Sequence, residues 1–197
     1  MTGTTDPPSR TPSIRGEYVE HGVRDYYAQH GDAYRNPHEP IIRELLAMAV
    51  GRWQLDLLHV LDLACGSGEV TLALRDLAGE GVGQINGIDP YTAAAYQARV
   101  GNAAETFSFE QIAGGALDGR SYSVIVCSFA LHLVAESWLP ALCYQLGQIC
   151  HALIVLTPHK RPELRPAWGW LLTEEVLHKR VRMRRYAFNA AGDALRG

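Results

Sequence analysis

The sequence predicts an α/β fold, a mainly parallel sheet covered by helices on both faces, and three observations predict it. Strand and helix signals alternate from about residue 40 to residue 160. The apolar runs are short and end in glycine or proline punctuation, as buried parallel strands do. The chain has 197 residues, 47% of them hydrophobic, which suits a single core.

The elements follow in order. Residues 1–16 hold Thr, Ser, Pro and Gly without periodicity and are expected to form a flexible tail, leaving 17–197 as one domain. A short helix is expected from Glu20 to about His30, with Val23, Tyr26 and Tyr27 near one face. Arg35-Asn36-Pro37-His38 interrupts the chain, and Pro40 suits a first helical turn. Ile41, Ile42, Leu45, Leu46, Ala49 and Trp53 then recur at helical spacing.

His59–Ala64 reads as the first strand, closed by Gly66-Ser67-Gly68 and followed by a helix carrying Val70, Leu72, Ala73, Leu74 and Leu77. Gln84–Ile88 reads as the second strand, ended by Asp89-Pro90, with a helix over Tyr91–Val100. Thr106–Ile112 reads as a third strand and Tyr122–Cys127 as a fourth. Ser137 is placed to cap a helix running to about Cys150, with Pro140 in its first turn. His151–Leu156 is the fifth strand, stopped by Pro158. Strands around Trp168–Leu172 and residues 180–188 are expected to form a terminal antiparallel pair. In a 3-2-1-4-5 order the link from strand three to strand four passes two strands, about 14 Å at the usual spacing. The nine residues Ala113–Ser121 reach roughly 30 Å when extended, so a loop suffices.

Composition narrows the function. A fifth of the residues are charged and the net charge is −3, which suits neither a disordered chain nor a general nucleic-acid binder. Cys65, Cys127, Cys143 and Cys150 include no C-x-x-C pair, and the eight histidines show no H-x-x-x-H pairing, so no metal is expected. The N-terminus is polar and carries Pro7, Pro8 and Pro12, unlike a signal peptide. No apolar run approaches the length of a membrane span. These features together predict a cytoplasmic protein with reduced thiols and no membrane partner.

The stretch Val60-Leu61-Asp62-Leu63-Ala64-Cys65-Gly66-Ser67-Gly68 carries the chemistry. A strand delivers an acid and then a two-glycine turn directly before a helix. Glycines there permit unusual backbone angles and let a ligand lie against the main chain. Asp89 ends the second strand 21 residues beyond Gly68, where a carboxylate can accept hydrogen bonds from two ribose hydroxyls. A nicotinamide fingerprint requires a third glycine, three residues after Gly68, but Thr71 stands there. The turn suits a nucleoside without a pyrophosphate.

Asp62–Gly68 resembles motif I of the class I S-adenosylmethionine (SAM)-dependent methyltransferases, which usually reads D/E-x-x-x-G-x-G. Asp89 resembles their ribose-binding acid, and Val124–Leu133 resembles their fourth strand and the loop after it. The resemblance covers about residues 40–160. It implies a three-layer Rossmann-like sandwich with N-terminal helices over the cofactor cleft, and SAM as cofactor, leaving as S-adenosylhomocysteine. By the same resemblance Asp62, Ala64, Gly66 and Gly68, with Cys65 among them, line the methionine end of SAM. Asp89 takes the ribose, while Pro90 and Tyr91 flank the adenine. Gly115, Ala116 and Leu117 meet the adenine edge, and Cys127, Ser128 and Phe129 approach the sulfonium. Three departures stand out: Ala64 replaces a common glycine, Gly114–Leu117 lacks the usual acid, and Ser123 replaces an Asp that often opens the fourth strand.

Plainer roles stay open for several of these residues. Asp62 can simply cap its turn, Asp89 can serve a helix N-terminus, and Cys65 and Cys127 can be small space-fillers. His132, Tyr34 and His38 are candidate catalytic groups, although a histidine at the place of His132 or His159 also serves structural ends. Tyr26, Tyr34, Arg35 and His38 either close over SAM or bind the acceptor, or only pin two helices together. The alternating basic and apolar stretch Lys179–Tyr186 suits an edge strand guarded by positive charge, or a phosphate- or RNA-contacting surface. The loop after strand four has no Asn-Pro-Pro-Tyr or Asp-Pro-Pro-Tyr tetrad, which argues against methylation of DNA bases or glutamine. The expected acceptor is a small molecule, ahead of RNA or protein. A SAM-binding regulatory or scaffold protein is the alternative.

Overall fold

A computed structural model describes residues 35–189. The expected tail and the helix from Glu20 to His30 lie outside the described residues, as do Tyr26 and Tyr34. The described chain opens with α1 (Glu39–Trp53), which has Pro40 in its first turn and buries Ile42, Leu45, Leu46, Ala49 and Trp53. The strands are β1 (His59–Leu63), β2 (Gln84–Ile88), β3 (Val124–Ser128), β4 (Ala152–Thr157), β5 (Trp170–His178) and β6 (Val181–Phe188). Helices α2 (Glu69–Ala78), α3 (Ala93–Val100), α4 (Phe109–Ala113) and α5 (Leu139–Ile149) fall between them.

The sheet runs β2-β1-β3-β4-β6-β5. The first four strands are parallel, while β6 pairs antiparallel with both β4 and β5. Successive strand residues point to opposite faces, so a run such as Val124–Ser128 is buried throughout. Leu61, Ile125, Leu153 and Val155 face α5, meeting Leu142, Leu146 and Trp170. Val60, Val124, Val126 and Ile154 face α1 and α2, meeting Leu45, Leu46, Val70 and Leu74. A sheet covered on both faces is what the near-continuous apolar runs require.

Three elements differ from the sequence expectation. The third strand, expected over Thr106–Ile112, is a single bridge between Ile88 and Glu105. The chain then turns into α4, because Ser108 and Gln111 form a capping box. Ser108 accepts from the Gln111 amide, and the Gln111 side chain accepts from the Ser108 amide. The place next to β2 in the 3-2-1-4-5 order is therefore kept by one residue. The link from Ala113 to Ser121 contains turns but no helix of its own beyond the end of α4.

Ser137 falls within a 3-10 turn, Glu136–Trp138, and α5 begins without a side-chain cap. The basic strand β6 is interior, with β5 at the edge. Its charges face the acids of β5: Arg184 Nε donates to Glu175 at 2.6 Å, and Arg185 lies 3.7 Å from Glu174. Neither edge protection nor a free cationic surface describes it.

Candidate functional site

The carboxyl ends of β1, β2 and β3 meet where the chain direction of the sheet order reverses, since β2 lies on one side of β1 and β3 on the other. Open α/β sheets form their ligand crevice at such a switch point. Here it is a cavity of about 680 Å³.

The glycine turn is its floor. Ala64 (φ 56°), Gly66 (φ 56°) and Gly68 (φ 93°) all adopt left-handed angles. Gly68 also has a packing reason: a Cβ there would lie 2.3 Å from Val100 Cγ2. The turn is tied to the end of β2, because Cys65 N donates to Ile88 O at 3.0 Å and Thr92 Oγ1 donates to Gly66 O at 2.8 Å.

Asp89 stands at the cavity wall. Its Oδ1 accepts from the Tyr91 and Thr92 amides at 2.9 and 3.0 Å. Its Oδ2 accepts from the Gly66 amide at 3.3 Å, and the Thr92 side chain is a further hydrogen-bond partner of the carboxylate. One oxygen is thus fixed by the turn, and the other is the better placed for ligand hydroxyls. Burial pushes the Asp89 carboxyl above its ordinary range, against the lowering effect of these bonds.

The structure brings Ala64, Cys65, Gly66, Asp89, Pro90 and Tyr91 to one end of the cavity. Ser128 and Phe129 reach it from β3. Phe129 has φ 55° and stacks on His38, ring centroids 4.5 Å apart and 9° from parallel. Burial lowers the His38 pKa.

Other expected residues do not line it. Asp62 is fully buried behind the turn, and its Oδ2 accepts from Thr71 N at 3.2 Å and Thr71 Oγ1 at 2.7 Å. Thr71 Oγ1 lies 3.0 Å from Tyr96 Oη. The residue that replaces the third glycine therefore serves as a polar brace between α2, α3 and β1. Asp62 Oδ1 has no partner among the described residues, and burial pushes its pKa up to about 8. Gly68 and Cys127 are also absent from the lining, taken up by helix packing and core packing.

Gly115, Ala116 and Leu117 sit beyond the end of α4, with Leu117 in the core, because the capped helix carries the chain past the cavity before this turn. Phe107, Ser108, Phe109, Gln111 and Ile112 occupy the wall expected of them. The signal for this substitution was the S-x-x-Q spacing of Ser108 and Gln111. His132 faces a second pocket, and burial together with the nearby His159 lowers its pKa to about 4.

Glu69 was not singled out by its sequence, yet it holds the site together. Buried at the start of α2, it accepts from the Asn36 amide at 3.1 Å, the Ser67 amide at 3.1 Å and the Ser67 hydroxyl. Arg99 bonds it at 3.0 Å and reaches Glu39 of α1 at 2.8 Å. The glycine turn, α3 and the entry to α1 are thereby joined through one carboxylate.

The residues present fit an adenosyl group. A carboxylate in the cavity lining stands beside a glycine turn and an aromatic wall, and the third-glycine place needed for a pyrophosphate is filled by Thr71. A methyltransferase-domain family matches residues 60–151. An uncharacterised protein of Schizosaccharomyces pombe is 37% identical over 80% of this chain and 79% of its own.

The chain belongs to the methyltransferase-domain family.

This methyltransferase shares its fold with magnesium protoporphyrin IX methyltransferase from Synechocystis PCC 6803 with bound SAM. The TM-score is 0.58 at 17% identity, covering 89% of this chain and 95% of that one. It is also similar to the N-methyltransferase NodS from Bradyrhizobium japonicum WM9 in complex with S-adenosylhomocysteine. There the TM-score is 0.61 at 11% identity, covering 83% and 97% of the two chains. Among the described residues no helix is long and apolar enough to cross a membrane, and no three His, Cys, Asp or Glu side chains gather to hold a metal.

Proposed function

We propose that this methyltransferase acts on a small-molecule acceptor in the cytoplasm, with SAM laid along the cavity from the glycine turn to α4. When bound, SAM would supply an electrophilic methyl carbon, to which an acceptor lone pair would bond in line with the breaking C–S bond as S-adenosylhomocysteine leaves. The Gly66 region meets the methionine end, Asp89 Oδ2 accepts from the ribose, and Ser108 to Ile112 border the adenine. Phe129 and Leu133 shape the side from which the acceptor approaches. Holding both reactants aligned is the main task of these residues, and such positioning is worth roughly 7–11 kcal/mol. The four free, buried cysteines suit a reducing compartment.

The observation that carries the reading is Asp89, with one oxygen fixed by two amides and the other at the cavity wall. Calorimetric titration with SAM, S-adenosylhomocysteine and NADH in parallel tests it. Micromolar binding of both adenosyl compounds without NADH is expected. Binding of NADH alone, or of none of the three, would overturn it.

A further inference from the structure

A second pocket, about 370 Å³, lies at the carboxyl ends of β3 and β4. The 3-10 turn Leu131–Leu133 is the partition: Leu133 lines the large cavity and His132 the second pocket. Its remaining walls include Val134, Leu139, Trp168 and the loop from Arg161 to Arg165.

That loop is held in place. Arg184 of β6, itself almost fully buried, donates Nη1 to the Pro162 carbonyl and Nη2 to the Lys160 carbonyl, both at 3.1 Å. The backbone on each side of Arg161 is thus pinned to the sheet. A side chain on a braced loop is a better recognition group than one on a loose loop, because less ordering entropy is lost on binding.

The pocket's charges divide into used and unused. Arg165 lies over the Trp168 ring at 4.9 Å and meets Glu136 at 3.5 Å, so both of these charges are engaged. Arg161 is exposed and makes no ion pair or hydrogen bond among the described residues. His132 lines the pocket with its ring packed on His159, centroids 4.3 Å apart, and its Nδ1 is closed off from the surface. A guanidinium presents a planar fork that matches a carboxylate. The second acid of the pocket, Glu163, repels surplus negative charge and so favours a carboxylate monoanion over a phosphate dianion. Val134, Leu139 and Pro162 supply apolar surface for the body that bears the carboxylate.

We propose that this pocket binds a carboxylate of the methyl acceptor, with Arg161 as its ionic partner and His132 as part of the wall beside it. The acceptor's reacting end passes over Leu133 into the cavity. The inference rests on the reading of that cavity as the SAM site, but the pocket can be probed separately.

Benzoate and inorganic phosphate are titrated into the full-length protein, with and without saturating S-adenosylhomocysteine. Benzoate is expected to bind saturably in the millimolar range and more tightly than phosphate. Arg161→Gln should weaken benzoate at least tenfold, and Arg161→Lys should weaken it less. S-adenosylhomocysteine affinity and melting temperature should stay unchanged in both variants. No saturable benzoate binding, equal binding to Arg161→Gln, or tighter binding of phosphate would each overturn the proposal. Benzoate binding by a protein that fails to take up S-adenosylhomocysteine would instead place the failure in the cavity reading.

Discussion

The turn after β1 and the segment between β2 and β3 both wall the cavity, yet they are built under different rules. The first is dictated locally. Left-handed angles at Ala64, Gly66 and Gly68 and the 2.3 Å approach of Val100 at Gly68 restrict what residues fit. The second is decided by competition between two patterns. Thr106, Phe107 and Phe109 alternate like a strand, but Ser108 and Gln111 satisfy each other's backbone amides and tip the segment into α4. A rigid turn therefore faces a short capped helix across the ligand space, and substitutions on the two sides should fail in different ways.

The largest effect is expected at Asp89. Asp89→Ala removes the proposed ribose acceptor and should weaken SAM by about a hundredfold, about 3 kcal/mol for charged hydrogen bonds. Asp89→Asn keeps an acceptor for the Tyr91 and Thr92 amides and should lose less affinity, by calorimetry. Gly68→Ala should instead damage the fold: a left-handed angle and a blocked Cβ should cost about 2–3 kcal/mol in denaturant melts.

Asp62 sharpens the contrast through pH. Its carboxyl is pushed up to about 8 in the fold against an ordinary 3.8, chiefly by burial. The folded state therefore holds this proton more tightly than the unfolded state. The associated stability is present at low pH and is lost as pH rises from about 4 towards 8. Asp62→Asn should flatten that slope in melting temperature, measured without ligand.

On the opposite wall, Ser108→Ala should cost about 1 kcal/mol, the usual worth of an N-cap. SAM affinity should fall a few-fold as α4 loosens. The smallest effect belongs to Ala64→Gly. Relieving a left-handed alanine should stabilise the fold by up to about 1 kcal/mol, seen as a small rise in melting temperature, with SAM binding kept.

The same contrast explains what was legible in the sequence. The glycine turn, the acid after β2 and the buried parallel strands are short-range patterns, so their residues could be named from spacing alone. Gly115 to Leu117 fall outside the cavity lining because the S-x-x-Q pattern of Ser108 and Gln111 starts a helix ahead of them. The interior place of β6 depends on the order of strands in space, which the alternation of Arg182, Arg184 and Val181 does not encode. Glu69 looked like an ordinary acid in a first helical turn. Its importance arises from Asn36 and Arg99, 33 and 30 residues away in sequence, converging on it in the fold. His132 was readable as a histidine after a strand, but the 3-10 turn that aims it away from the large cavity was not.

The most direct test of the account is a crystal structure of the protein with S-adenosylhomocysteine. The ribose hydroxyls should lie within hydrogen-bond distance of Asp89 Oδ2, and the adenine should rest against Ser108 to Ile112. An adenine edge held by Gly115 to Leu117, or a ribose away from Asp89, would contradict it.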